Sequence, residues 1–383
     1  MLKIFGMIGL LAAIYGVGAF ANDAALLKDM EALRNSLPFK DPGRPTLTRR
    51  LADLYFEKTV TEDKNLILTG QGDAVAIKRE RERSLKLYHE ALDGERGAYP
   101  LPAGELKSKI QFQIARLERM NGGRAKALAI LNEVAAAAMG PELKRETFLT
   151  LAEMHEEDGR WDASLAAYRT ALPLCQGAEA VGYVRYRIAW GLYRKGDLAS
   201  AQQEITHALW DAHGRAKEQV VADYIQFLAA TPGTDGQTAL VQIEALAAKA
   251  RMPQLVEELA AAFFATGNRV AGTTVLAHAH RQAPNVFFAA RLVEEYYGFR
   301  RWDDVRETLE TLPSLVSQLA GLDAKRRDTV DQILRRLVVQ IDGERKSNPG
   351  RFNAEACMAI DVYLAAFPGN ELAPKMKEGW LAA

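Results

Sequence analysis

Tyr183, Tyr186, Trp190 and Tyr193 recur at intervals of three, four and three, the spacing that gathers side chains on one face of an α-helix. Such a stripe can anchor a partner by burying large rings, or stack on sugar rings, or fill a gap between long helices. The residues that could make or break bonds are scattered by comparison. His278 and His280 are two apart and diverge on a helix, and His155-Glu156-Glu157 lacks the second histidine of a zinc-binding helix. Gly70-Gln-Gly72 is too short to cradle a phosphate, and there is neither a Gly-Lys-Ser/Thr loop nor a Gly-x-Ser-x-Gly elbow. Glu156-Glu157, Glu257-Glu258 and Asp303-Asp304 are adjacent in sequence and so point in different directions on a helix, as solvated faces do. The expectation is a protein without catalytic residues, metal or cofactor.

Charge narrows the partners. Forty-nine basic residues balance 49 acidic ones, so the net basic field or patch that gripping nucleic acid or an anionic membrane requires is not expected. The run Lys78-Arg79-Glu80-Arg81-Glu82-Arg83 alternates in sign and is expected to be a self-neutralising helix surface. No nucleic acid and no stable membrane insertion are expected. Cys175 and Cys357 lie in apolar surroundings and are expected to be thiols rather than a bridge.

Residues 1–21 combine Lys3, an apolar run from Ile4 to Phe20 and the small-residue site Ala19-Phe20-Ala21. This is the pattern of a cleaved secretory signal peptide, and it sets the expectation of a periplasmic or secreted mature chain.

The elements that would position the stripe repeat along the chain. Residues 147–172 hold two helical patterns separated by Asp158-Gly159, with Phe148, Leu151 and Ala152 on the first and Leu165, Tyr168, Ala171 and Leu172 on the second. Comparable units start at 108, 145, 182, 219, 253 and 286, so successive spacings are 37, 37, 37, 34 and 33. Leu151, Ala152, Gly159, Tyr168 and Ala171, and in a later unit Leu259, Ala260, Phe263, Gly267, Gly272, Ala279 and Pro284, resemble the tetratricopeptide repeat. Together with the leader, the chain resembles an exported bacterial member of that superfamily. The resemblance implies an all-α fold, a right-handed α-solenoid of about seven to eight helix-turn-helix repeats. Its organisation would be residues 1–21 as signal peptide, 22–107 as N-terminal cap and a first divergent repeat with an insertion near Glu62 to Ala74, 108–322 as central repeats, and 323–383 as a divergent repeat with a capping helix.

The resemblance also implies which residues face the inner groove. Positions 2, 5, 9 and 12 of each first helix give Lys109, Phe112, Arg116 and Arg119 in one unit, Glu146, Leu149, Glu153 and Glu156 in the next, and Tyr183, Tyr186, Trp190 and Tyr193 in the third. Ile188, Ala189 and Leu192 supply the packing positions of the third unit, which leaves the aromatic stripe either to the groove or to gap filling. The basic row beside the acidic row either selects a charged partner or is neutralised by ion pairs between repeats. The implied function is a non-enzymatic scaffold or adaptor of the bacterial cell envelope that binds a protein or peptide segment in its groove. The alternatives are a peptidoglycan or glycan binder and an assembly subunit of a motility or secretion complex.

Overall fold

The computed structural model describes residues 23–94, 104–137, 139–211, 214–246, 251–370 and 378. The signal-peptide segment and the C-terminal capping helix expected around Leu372 to Leu381 lie outside them. All regular structure among the described residues is helical, and none of its helices is long and apolar enough to cross a membrane. The chain divides into two compact units, one ending at Gly177 and one beginning at Ala178.

The first unit contains α1 (Asp23–Ser36), α2 (Arg44–Thr69), α3 (Ala74–Asp93), α4 (Glu105–Met120), α5 (Arg124–Ala136), α6 (Pro141–Glu157) and α7 (Trp161–Ala171). Consecutive helices touch from α1 to α7, with α2/α3, α4/α5 and α6/α7 most closely paired. Leu51, Tyr55, Phe56, Leu87, Tyr88, Ile110, Ile114 and Leu117 form one continuous core across α2, α3 and α4. The second unit contains α8 (Ala178–Lys195), α9 (Leu198–Asp211), α10 (Gly214–Ala230), α11 (Gly236–Leu246), α12 (Met252–Ala265), α13 (Arg269–Gln282), α14 (Val286–Gly298), α15 (Trp302–Leu315), α16 (Ala324–Ser347) and α17 (Asn353–Ala366). Here first helices pack on first helices (α10 on α12, α14 on α16) and second on second (α11 on α13, α15 on α17), as stacked repeats do.

The helix pairs coincide with the units read from the sequence, and their turns show why. Gly122, Gly159, Gly196, Gly233 and Gly267 all adopt positive φ, between 70° and 85°. Four of these turns close in one way: the amide after the glycine reaches the carbonyl five residues back, as in Arg160 to His155 (2.9 Å) and Asn268 to Phe263 (2.9 Å). That bond needs a left-handed residue to reverse the chain, and glycine takes it without a Cβ penalty. Small residues then admit the second helix: Ala127, Ser164, Ala201 and Gly272, each nineteen residues into its unit, are buried. Side-chain caps start other helices, with Asp73, Asn268, Asn285 and Asp323 accepting from amides of the first turn.

The segment read as an insertion near Glu62 to Ala74 is mostly helix. The α2 helix runs on to Thr69, 26 residues in all, and α3 begins at Ala74. The extra residues lengthen the hairpin instead of forming a loop, because no glycine or proline interrupts the run from Thr46 to Thr69.

Candidate functional site

In the first unit, the residues expected on the inner face separate by burial. Phe112 is 7% exposed and belongs to the core. Arg116 is half-buried, with its guanidinium 4.6 Å from the Phe56 ring centroid and 6.0 Å from that of Phe112, and Nη1 donating to Gln113 at 3.1 Å. Lys109 is exposed and pairs with Glu105, one turn earlier on α4, at 2.9 Å. Arg119 reaches across to the next pair and donates to Glu153 at 3.1 Å and Glu157 at 2.6 Å. Arg124 adds bonds to Glu157 at 2.5 Å, to Asp158 at 2.7 Å and to the Met154 carbonyl. Glu156 accepts from the Tyr168 hydroxyl at 3.2 Å.

The network perturbs titration in a consistent direction. Burial works against the charge of Arg119, yet Glu153 and Glu157 outweigh it and hold the guanidinium pKa above its ordinary value. Burial likewise opposes the Glu157 carboxylate, and the bonds from Arg124 and Arg119 still bring its pKa below the ordinary value. For Asp158 the Arg124 hydrogen bond is the leading cause of a lowered pKa. The basic and acidic rows therefore meet as ion pairs between consecutive repeats, and Lys109, Arg116, Arg119, Glu153 and Glu156 are all engaged within the chain.

In the second unit the aromatic stripe is half-buried throughout: Tyr183, Tyr186, Trp190 and Tyr193 each keep part of their surface exposed, whereas Val184, Ile188, Ala189 and Leu192 on the same helix are buried. The stripe is braced by α10. Trp190 meets Phe227 edge to face at 5.1 Å, Tyr193 lies 4.7 Å from the same ring, and Phe227 itself is 1% exposed. Trp190 also meets Tyr186 at 6.5 Å and Tyr193 at 5.4 Å in T-shaped contacts, the geometry that ring quadrupoles favour. The Tyr186 hydroxyl donates to Asp223 at 2.6 Å, and Gln219 donates to the other carboxylate oxygen at 3.1 Å. Burial first, and then the Asp223 bond, hold the Tyr186 phenol well above its ordinary pKa. Arg187 donates to the Tyr183 hydroxyl at 3.0 Å, and the guanidinium of the exposed Arg194 lies 5.6 Å from the Trp190 ring.

The result is a ring surface fixed from behind by Phe227 and flanked by Arg187 and Arg194. Asp223, Phe227 and Gln219 were missed as members. They were within reach of the sequence, because Tyr186 and Asp223, and Trp190 and Phe227, are 37 residues apart, one repeat spacing. Farther along the second unit, ion pairs link other elements: Arg326 with Glu257 at 2.6 Å, Arg336 with Glu294 at 2.6 Å, and Arg300 with Glu344.

The sequence matches no family model and no curated protein. Among solved structures it is similar to the C-terminal part of a TPR repeat-containing protein from Cytophaga hutchinsonii, at 16% identity over 69% of this chain and 98% of that one, with a TM-score of 0.36. The fold assignment rests on the chain's own paired helices and turn glycines.

Among the described residues no group of three or more histidine, cysteine, aspartate or glutamate side chains is placed to hold a metal ion. A concavity of about 180 Å³ in the first unit lies beside Glu31, Arg34, Arg83 and Glu90, smaller than the roughly 300–1,000 Å³ of small-molecule sites. Its charges are already paired, Arg34 with Glu90 at 2.5 Å and Arg83 with Glu31.

Proposed function

We infer that the protein is a non-enzymatic scaffold of the bacterial cell envelope, reached through its N-terminal export segment, and that the α8 aromatic stripe binds a segment of another envelope protein. The observation that carries the reading is the double use of α8. Its buried positions are fully supplied by Val184, Ile188, Ala189 and Leu192, while four rings on another face remain half-exposed and are held by Phe227 from behind. Rigid rings of this kind lose little conformational freedom on binding, which is why Tyr and Trp dominate recognition surfaces. Arg187 and Arg194 flank the rings, so a segment with apolar side chains next to carboxylates suits the surface.

Affinity capture from a native envelope extract with the mature chain, repeated with Trp190→Ala after its folding has been verified, tests this reading. A protein retained by the wild type and lost by the variant supports it, and equal recovery of every protein by both contradicts it.

The Asp223 and Gln219 side chains beside Tyr186 favour a second reading, a glycan or peptidoglycan binder, since sugars stack on rings while polar neighbours pair with their hydroxyls. Titration of soluble peptidoglycan fragments against the chain, followed by intrinsic tryptophan fluorescence with Trp190→Phe as the control for the other four tryptophans, separates the two. Saturable quenching lost in Asp223→Ala selects the glycan.

A further inference from the structure

The tip of the α2/α3 hairpin exposes three large apolar side chains, Ile67 (57%), Leu68 (53%) and Val75 (67%). They lie on the lengthened part of the hairpin: α2 has 26 residues, against 13 to 18 in the first helices of the pairs from α4 to α15. Behind them stand cations. Lys64 precedes Ile67 and Leu68 by three and four residues, and Lys78 and Arg79 follow Val75 by three and four. Each cation thus shares a helix face with a tip residue and sits about one turn, or 5.4 Å, farther back.

Lys64, Lys78 and Arg79 make no ion pair among the described residues, whereas the carboxylates of this end are engaged. Glu62 and Glu80 hold Lys58 at 3.6 and 2.5 Å, Asp63 holds Arg81, and Asp73 caps α3 through the amides of Val75 and Ala76 at 2.8 and 3.1 Å. The exposed Glu82 lies a further turn down α3. The run does not neutralise itself as the sequence suggested: Glu80 pairs with Lys58, Arg81 with Asp63 and Arg83 with Glu31, all on other helices, and Lys78 and Arg79 stay outside these pairs.

We propose that this hairpin tip docks on an anionic lipid surface, with Ile67, Leu68 and Val75 entering the boundary of the acyl chains and Lys64, Lys78 and Arg79 meeting the phosphates. The order of residues carries the assignment. An interfacial element buries its apolar face about 5–10 Å and keeps its cations at the headgroups, which is the depth that one helical turn separates here. Neutrality of the whole chain does not oppose it, since headgroup attraction acts within about a Debye length, and only the charges at the tip come that close. The contact is peripheral and independent of the α8 surface.

Co-sedimentation of the mature chain, without the apolar leader, with vesicles of phosphatidylglycerol and phosphatidylcholine, or of phosphatidylcholine alone, tests it. The wild type is expected to bind the anionic vesicles, with affinity falling as salt rises. Ile67→Ser/Leu68→Ser/Val75→Ser should lose at least about tenfold, and Lys64→Gln/Lys78→Gln/Arg79→Gln about a hundredfold at low salt. Five of the six side chains are exposed and Lys64 is half-buried, so both variants should keep the wild-type circular dichroism. Absence of wild-type binding to anionic vesicles, or undiminished binding by the serine variant, overturns the proposal. Self-association of the wild type that the serine variant abolishes, without vesicle binding, assigns the tip to a second copy of the chain and overturns it equally.

Discussion

Arg300 occupies in its helix pair the place that Gly267 occupies 33 residues earlier, and it does so at φ 58° against 81° for the glycine. The amide of the following residue makes the same bond in both turns, Arg301 to Tyr296 and Asn268 to Phe263, each at 2.9 Å. A left-handed turn is thus kept where its usual residue is absent, and Arg300 is anchored there by its ion pair with Glu344 and by Tyr297. A left-handed backbone costs a residue with a Cβ about 1–2 kcal/mol. Arg300→Gly should therefore raise stability, because the relieved backbone outweighs an ion pair this exposed. Thermal unfolding checks it, and a lower melting temperature would refute the register.

The reverse change acts on the backbone alone. A Cβ added at Gly267 or Gly159 would meet nothing within 4 Å, so any loss in Gly267→Ala or Gly159→Ala comes from φ. Each should cost about 1 kcal/mol in denaturant unfolding.

Acid should act on the first unit through the Arg119, Arg124, Glu157 and Asp158 network. Both carboxylates have folded pKa values below their ordinary 4.5 and 3.8, so folding is favoured above the ordinary range and that stabilisation is lost as pH falls through the depressed values. Glu157→Gln should cost less than about 1 kcal/mol at neutral pH, given its partial exposure. As pH falls through these depressed values the melting temperatures of variant and wild type should converge; a gap that stays constant on acidification would exclude the network as its source.

Burial raises the pKa of both thiols, Cys175 and Cys357, which are free and half-buried. Alkylation by iodoacetamide should be slow in the native protein and complete in denaturant, since the thiolate is the reactive form. Fast native labelling of either thiol would show that its burial is not maintained.

The repeat register was legible because its marks are local. Turn glycines at 122, 159, 196, 233 and 267 and small residues such as Ala152 and Ala189 are chosen by backbone and close packing, which a period in sequence reports. Arg300 escaped because the same conformation was met by a residue that carries no such signature. The candidate surface was legible only in part. Spacing put Tyr183, Tyr186, Trp190 and Tyr193 on one face, but Phe112 shares its repeat position with Tyr186 and is buried. What decides between groove and core is the neighbouring repeat, where Phe227 fills the space behind Trp190 and Asp223 takes the Tyr186 hydroxyl. Likewise Arg119 and Glu153 read equally well as a groove or as an ion pair until their 3.1 Å separation is seen.

The bracing of the stripe makes its variants informative about stability as well. Tyr186→Phe removes one bond to Asp223, which Gln219 still serves, and should cost about 1 kcal/mol. Trp190→Ala removes a half-buried ring in contact with Phe227 and should cost about 2–3 kcal/mol, less than the roughly 3–5 kcal/mol of a fully buried large aromatic. Denaturant unfolding of the two variants checks the order; a larger loss for Tyr186→Phe would mean that the bond, and not the ring packing, holds the surface.

The affinity of the captured partner for wild type and for Trp190→Ala, measured by titration calorimetry under conditions where both are fully folded, addresses the central claim directly. A ring that anchors the partner should weaken binding about 30-fold when removed, the equivalent of about 2 kcal/mol. Equal affinities, with only the melting temperature lowered, would contradict the claim and return the α8 stripe to the packing of its repeat.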